Sequence, residues 1–224
     1  VDFAGREYST KADASGDWFI LLAPREAGGP HTMKIQASNS LTVSNILIGD
    51  VWLCSGQSNM ELPVRRVRPL YEAEIAAAEN KFIRSFIVPK VFSFKEPGKD
   101  LSAGSWVAAN PETVLDFPAA AWFFAIDLYE TYGVPVGLLT SAFGGSPAEA
   151  WISEESLKEF PVHYSELQKY KSDSLMETIA ADDQKRIQEW YGQLMKADEA
   201  NKTPGVKWHD PAMKTDDWKT TTIP

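Results

Sequence analysis

Ile46-Leu47-Ile48-Gly49-Asp50-Val51-Trp52-Leu53-Cys54-Ser55-Gly56-Gln57-Ser58-Asn59 is the stretch on which the fold turns. Residues 46–54 are almost continuously apolar, as in a strand buried on both faces of a parallel sheet, and the run stops at Gly56. Open α/β sheets bind ligands beyond the carboxyl ends of their strands, so Ser58 stands where a nucleophile would be wanted. Gly56 permits a tight turn, and a helical turn beginning at Ser58 would aim free N–H groups at an oxyanion beside the hydroxyl. The same features also fit a plain strand-to-helix turn with Ser58 or Asn59 as its cap.

Strands and helices alternate from there. Residues 69–80 are rich in Ala and Glu and read as a helix, and residues 82–88 read as a second strand closed by Pro89. A further helix is predicted over 115–131, opening near Pro118 with Ala121, Phe124, Ala125 and Leu128 on one face, and a third strand over 134–140. This order argues for an α/β fold with a parallel sheet and flanking helices. The preceding residues 1–47 read as antiparallel β structure. Trp18 to Leu22 is a β-prone run, residues 32–36 alternate with period two, and Gly28-Gly29-Pro30 is the expected turn between them. Residues 153–201 read as charged helix, with Ile187, Trp190, Tyr191, Leu194 and Met195 forming one apolar stripe expected to pack.

Composition narrows the function classes. The 224 residues carry 22 Lys plus Arg against 31 Asp plus Glu, a net charge of −9 that disfavours nucleic acid and anionic membranes as partners. Apolar runs such as residues 18–23 fall far short of the roughly 18 residues of a membrane span, so the chain reads as soluble. One cysteine, Cys54, excludes an intrachain disulfide and a multi-cysteine zinc site, and no motif for a metal, nucleotide or flavin is present. No cofactor is expected. Val1 is followed by no signal-peptide pattern, and residues 208–224 are a poor place for a domain to finish, so the sequence reads as cut at both ends.

A second glycine-bearing loop, Thr140-Ser141-Ala142-Phe143-Gly144-Gly145-Ser146-Pro147, follows the third strand. Its glycines allow a backbone N–H to approach a ligand where side chains would collide, and the alternative is a turn with Ser146 capping a helix that starts at Pro147. Cys54 is a weaker candidate nucleophile, since within a buried strand it behaves as a small hydrophobe with a raised pKa. Asp50, Glu61 and Glu149 could suggest a two-carboxylate site, but sequence separation says nothing of their distance, and solvated or structural carboxylates are the default reading.

The run from Gly49 to Glu61, Gly49-Asp50-Val51-Trp52-Leu53-Cys54-Ser55-Gly56-Gln57-Ser58-Asn59-Met60-Glu61, closely resembles the first block of the sialate O-acetylesterases, carbohydrate acetylesterases of the SGNH (GDSL-like) hydrolase group. Val134-Pro135-Val136-Gly137-Leu138-Leu139 and Phe143-Gly144-Gly145-Ser146-Pro147-Ala148-Glu149-Ala150-Trp151 resemble the second block. The resemblance implies an SGNH-like, incomplete parallel sheet preceded by antiparallel strands. It further implies a serine esterase that removes O-acetyl groups from sialic acid or a related carbohydrate. Ser58 would be the nucleophile, Ser58 with Gly144 or Gly145 the oxyanion donors, and Gln57 and Asn59 supporting residues.

The family's Asp and His stand near its C-terminus, in an Asp-x-x-His context that none of His31, His163 and His209 matches. The catalytic base is therefore expected outside this chain, on the remaining C-terminal portion, which could be a separate chain. The expected division is 1–47 for the end of a β-domain, 48–203 for the first part of the catalytic domain and 204–224 for the start of an inserted β-domain. A secreted or periplasmic setting is expected. The alternatives are a non-catalytic carbohydrate-binding module, using the 8 Trp and 7 Tyr as stacking surfaces, and a scaffold with a degenerate hydrolase fold.

Overall fold

The computed structural model describes residues 1–198, 202 and 210–222, and divides them into two compact units, Val1–Trp151 and Ile152–Pro224. In chain order the first unit contains β1 (Asp2–Phe3), β2 (Arg6–Glu7), β3 (Gly28–Gln36), β4 (Ser40–Ile48), β5 (Asp50–Gly56), α1 (Ser58–Glu61) and α2 (Glu72–Ala76). It continues with β6 (Asn80–Ile87), β7 (Val107–Ala109), α3 (Ala119–Tyr132) and β8 (Val136–Ala142). The second unit holds α4 (Glu154–Leu157), α5 (Pro161–Tyr170) and α6 (Asp173–Ala197).

The first unit has two four-stranded sheets. One is antiparallel, in the order β2-β1-β3-β4, and the other runs β5-β8-β6-β7 with β5 and β6 both parallel to β8. This is the α/β class expected, with β7 added antiparallel to β6 where no strand is predicted. Side chains alternate across the second sheet. Val136, Leu138 and Thr140 of β8 and Ile83 and Ser85 of β6 are buried, and the core joins them to Val64, Val114, Phe117 and Trp122. α3 lies against this layer, with the Trp52 and Phe124 rings edge to face at 5.0 Å and Phe82 stacked on Tyr129 at 5.9 Å. Helix α3 ends where Gly133 takes a left-handed φ of 66° and its N–H donates to Tyr129 O.

Several expectations need correction. The apolar run 46–54 is two strands, broken at Gly49, and β5 is an edge strand rather than one buried on both faces. Cys54 is buried, whereas Val51 and Leu53 are 63% and 66% exposed on the opposite face of the strand, and β5 pairs only with β8. Trp18 to Leu22 forms no strand, and Phe19 and Leu21 are exposed. Gly28-Gly29-Pro30 is no turn but the irregular start of β3, where a Cβ on Gly29 would come within 2.6 Å of Ile46 O. The helix expected over 69–80 shrinks to α2, because residues 68–70 form a separate 3-10 turn and Asn80 already pairs with Ala109.

In the second unit the apolar stripe of α6 is not a packing face. Ile187, Trp190, Tyr191 and Met195 are each 56% exposed. The expected end of that helix, residues 199–201, lies outside the described residues, as do residues 204–209 and 223–224 of the expected inserted domain. Among the described residues no helix is long and apolar enough to cross a membrane.

Candidate active site

The register of β5 on β8 builds the site. Asp50 pairs with Val136 and each following residue keeps step until Gly56 faces Ala142, so both strands end together and their next residues leave from one edge. The Phe143 N–H donates to Gly56 O at 2.9 Å and continues that pairing into the loop. Gln57 then stands at the N-terminus of α1, its carbonyl accepting from the N–H groups of Met60 and Glu61. Ser58 is the first residue of α1 and is exposed, as are Gln57 and Asn59. Its hydroxyl donates to Gln57 Oε1 at 3.5 Å, a distance at which a hydrogen bond is weak.

About 86 positions of chain separate Ser58 from Gly144, yet the two touch. A Cβ built on Gly144 would lie 3.6 Å from both Cα and Cβ of Ser58, and 2.7 Å from Glu61 Oε2. A side chain at 144 would meet Ser58 at ordinary contact distance but would push the Glu61 oxygen away. Gly145, at φ 80°, takes a left-handed conformation that an L side chain would strain, with open space around its Cα.

The Gly144 N–H differs from the expectation of an oxyanion donor, because it donates to Glu61 Oε2. The other oxygen of Glu61 accepts from the Lys90 ammonium, which also lies 4.9 Å from the centre of the Phe143 ring. These two bonds hold the Glu61 carboxyl below its ordinary pKa, the Lys90 bond being the larger cause and the Gly144 bond the next. Sequence reading treated Glu61 as a structural carboxylate and passed over Lys90. Pro89, which closes β6, was the available signal, since the residue after it must emerge at the same sheet edge as Ser58.

A cavity of about 280 Å³ opens between the loops after β6 and β8, lined by Lys90, Phe92, Phe143, Ser146 and Trp151 among others. Ser146 is not a helix cap: its hydroxyl donates to Phe143 O at 2.6 Å and accepts from Trp151 Nε1 at 2.8 Å, which locks the aromatic against the loop.

The remaining candidates lie elsewhere. Cys54 is buried within β5 and its thiol is pushed up by burial, so it is no nucleophile in this state. Asp50 opens β5, at the far end of the strand from Ser58. His31 lies in β3, edge-on to Phe3 at 5.8 Å, and His163 lies in α5. No described histidine bonds the Ser58 hydroxyl, and His209 is outside the described residues. Among the described residues no cluster of His, Cys, Asp or Glu could hold a metal ion.

No protein-family model matches the chain. It is 34% identical to the sialate O-acetylesterase of Rattus norvegicus over 155 residues, 64% of this chain and 29% of that protein. It is 34% identical to the sialate O-acetylesterase of Homo sapiens over 156 residues, 64% of this chain and 30% of that protein. Among solved structures, a carbohydrate acetylesterase from Xanthomonas citri superposes with a TM-score of 0.66 at 41% identity, over 70% of this chain and 36% of that one. Over this part of its length the chain is similar to the sialate O-acetylesterases. It spans about 30% of the length of the curated family members it matches.

Proposed function

We infer that this chain carries the nucleophile-bearing part of a carbohydrate O-acetylesterase with an SGNH-type catalytic domain. The observation that carries the reading is the in-step ending of β5 and β8, which brings Ser58 against Gly144 at the carboxyl edge of a parallel sheet. The Ser58 oxygen bonds to the acetyl carbon of the ester while a base takes its proton. The tetrahedral intermediate collapses with loss of the sugar oxygen, which leaves protonated, and water then releases acetate from acetyl-Ser58. The Ser58 N–H and the Gly145 N–H serve the oxyanion, because the Gly144 N–H is already given to Glu61. Gln57 supports the hydroxyl, and Asn59 flanks it on α1. The base is a histidine oriented by an aspartate, supplied by chain outside these residues. The chemistry requires no cofactor.

The substrate is an O-acetylated sugar, sialic acid or a related carbohydrate. The domain division proposed with this reading places the catalytic part over 48–203, between a preceding β-domain and an inserted one. The test is release of p-nitrophenol from p-nitrophenyl acetate by the intact protein, with mass spectrometry of the trapped acyl-enzyme. Ser58→Ala abolishes both turnover and the adduct. Turnover that survives that substitution at the wild-type rate rules Ser58 out as the nucleophile, and an intact protein that gives neither turnover nor adduct is a binding module or a degenerate scaffold.

A further inference from the structure

Among the described residues, Glu61 stands on the helix that carries Ser58 and touches the loops after two different strands. Its two oxygens divide the work: one accepts from the Lys90 ammonium after β6, the other from the Gly144 N–H after β8. We propose that Glu61 is a positioning residue of the acyl-transfer site, whose carboxylate holds the Gly144-Gly145 turn at the distance from Ser58 that an oxyanion donor requires. This rests on the reading of Ser58 as nucleophile.

Three observations support it. A Cβ added at Gly144 would lie 2.7 Å from Glu61 Oε2 and 3.6 Å from Ser58, so the bare glycine lets the carboxylate reach the turn beside Ser58. The turn has few other fastenings: the Phe143 N–H on Gly56 O and the Ser146 N–H on Phe143 O flank it. The Gly144 bond is charge-assisted, and such bonds are shorter and stronger than neutral ones. Lys90 is the one charged group that faces Glu61 among the described residues, and it keeps the acceptor ionised. Being half exposed, the pair adds little to global stability, so its effect is expected on geometry.

Oxyanion donors act over a narrow range of distance, and a displacement of about 1 Å can cost on the order of a hundredfold in rate. The intact protein and its E61Q, E61A and K90M variants are compared with p-nitrophenyl acetate. E61A lowers kcat at least about tenfold with little change in KM, whereas E61Q, which keeps an acceptor oxygen for Gly144 but loses the charge, retains more kcat than E61A. Equal losses in the two, or a kcat for E61A within about twofold of wild type, overturns the proposal.

The Gly144 amide gives a readout that needs no turnover. In nitrogen–proton correlation spectra its shift follows ionisation of Glu61, with a midpoint below the ordinary glutamate value. The carboxylate contact is present above that midpoint and lost as pH falls through it. E61Q removes the titration, and K90M moves it upward. A wild-type enzyme inert toward the ester but showing this titration refutes the esterase reading alone. A Gly144 amide indifferent both to pH and to E61Q refutes the contact, whatever the activity.

Discussion

Substituting Gly49 by alanine tests how β5 is set against β8. Gly49 separates β4 from β5, and the Asp50 N–H beside it donates to Pro135 O at 3.0 Å. An alanine Cβ at 49 would stand 2.0 Å from that same oxygen, 2.8 Å from the Pro135 carbonyl carbon and 2.9 Å from its Cβ. Contact at an ordinary separation requires the two backbones to part by more than about 1 Å, and neither is a flexible side-chain end. Overpacking of this kind costs about 1–3 kcal/mol, and loss of the Asp50 hydrogen bond adds about 1 kcal/mol. A total near 3 kcal/mol lowers the urea midpoint by roughly 1.5 M for a slope of about 2 kcal/mol/M. Gly133→Ala is the comparison. At Gly133 nothing lies within 4 Å, and the cost is the left-handed φ alone, about 1 kcal/mol. Near-ultraviolet circular dichroism through a urea titration separates the two. A midpoint for Gly49→Ala equal to that of Gly133→Ala, or within about 0.3 M of wild type, refutes the steric argument.

Among the described residues the Thr140 hydroxyl, buried in the inner strand β8, finds no hydrogen-bond partner. Thr140→Val is therefore expected to be neutral or to stabilise by up to about 1 kcal/mol, and a lowered urea midpoint counts against this account. Cys54 is buried with its thiol pKa raised, so at pH 8 it should react with a disulfide reagent at least about tenfold more slowly in the native protein than in urea, and equal rates would contradict its burial.

The elements most legible in the sequence were those whose signal is local. Gly56 ends an apolar run, Pro118 precedes a helix, Pro89 closes a strand, and each falls within a few residues of the boundary observed. Sheet order was not legible, because β8 inserts between β5 and β6 and the choice of neighbour is made by tertiary packing. Exposure was not legible either, because Val51 and Leu53 look like core residues in the sequence but lie on a face of β5 that is left exposed. Trp18 to Leu22 has the β propensity of a strand but pairs with none, since propensity does not by itself choose a partner. At the site, the turn bearing Ser58 and the loop bearing Gly144 were legible from their glycines. The joining of Glu61 to Lys90 and Gly144 was not, because it depends on three strand ends reaching one edge.

The placement of β5 at the margin of its sheet has a consequence for amide exchange. Along a marginal strand every second backbone N–H points inward to its neighbour and the alternate ones point outward. Exchange along residues 50–56 should thus fall into two interleaved sets, one slow and one at solvent rates. Any further strand that adds beside β5 would slow the fast set and leave the other unchanged. Those few amides therefore report whether the strand leading into Ser58 is clamped from one side or from both.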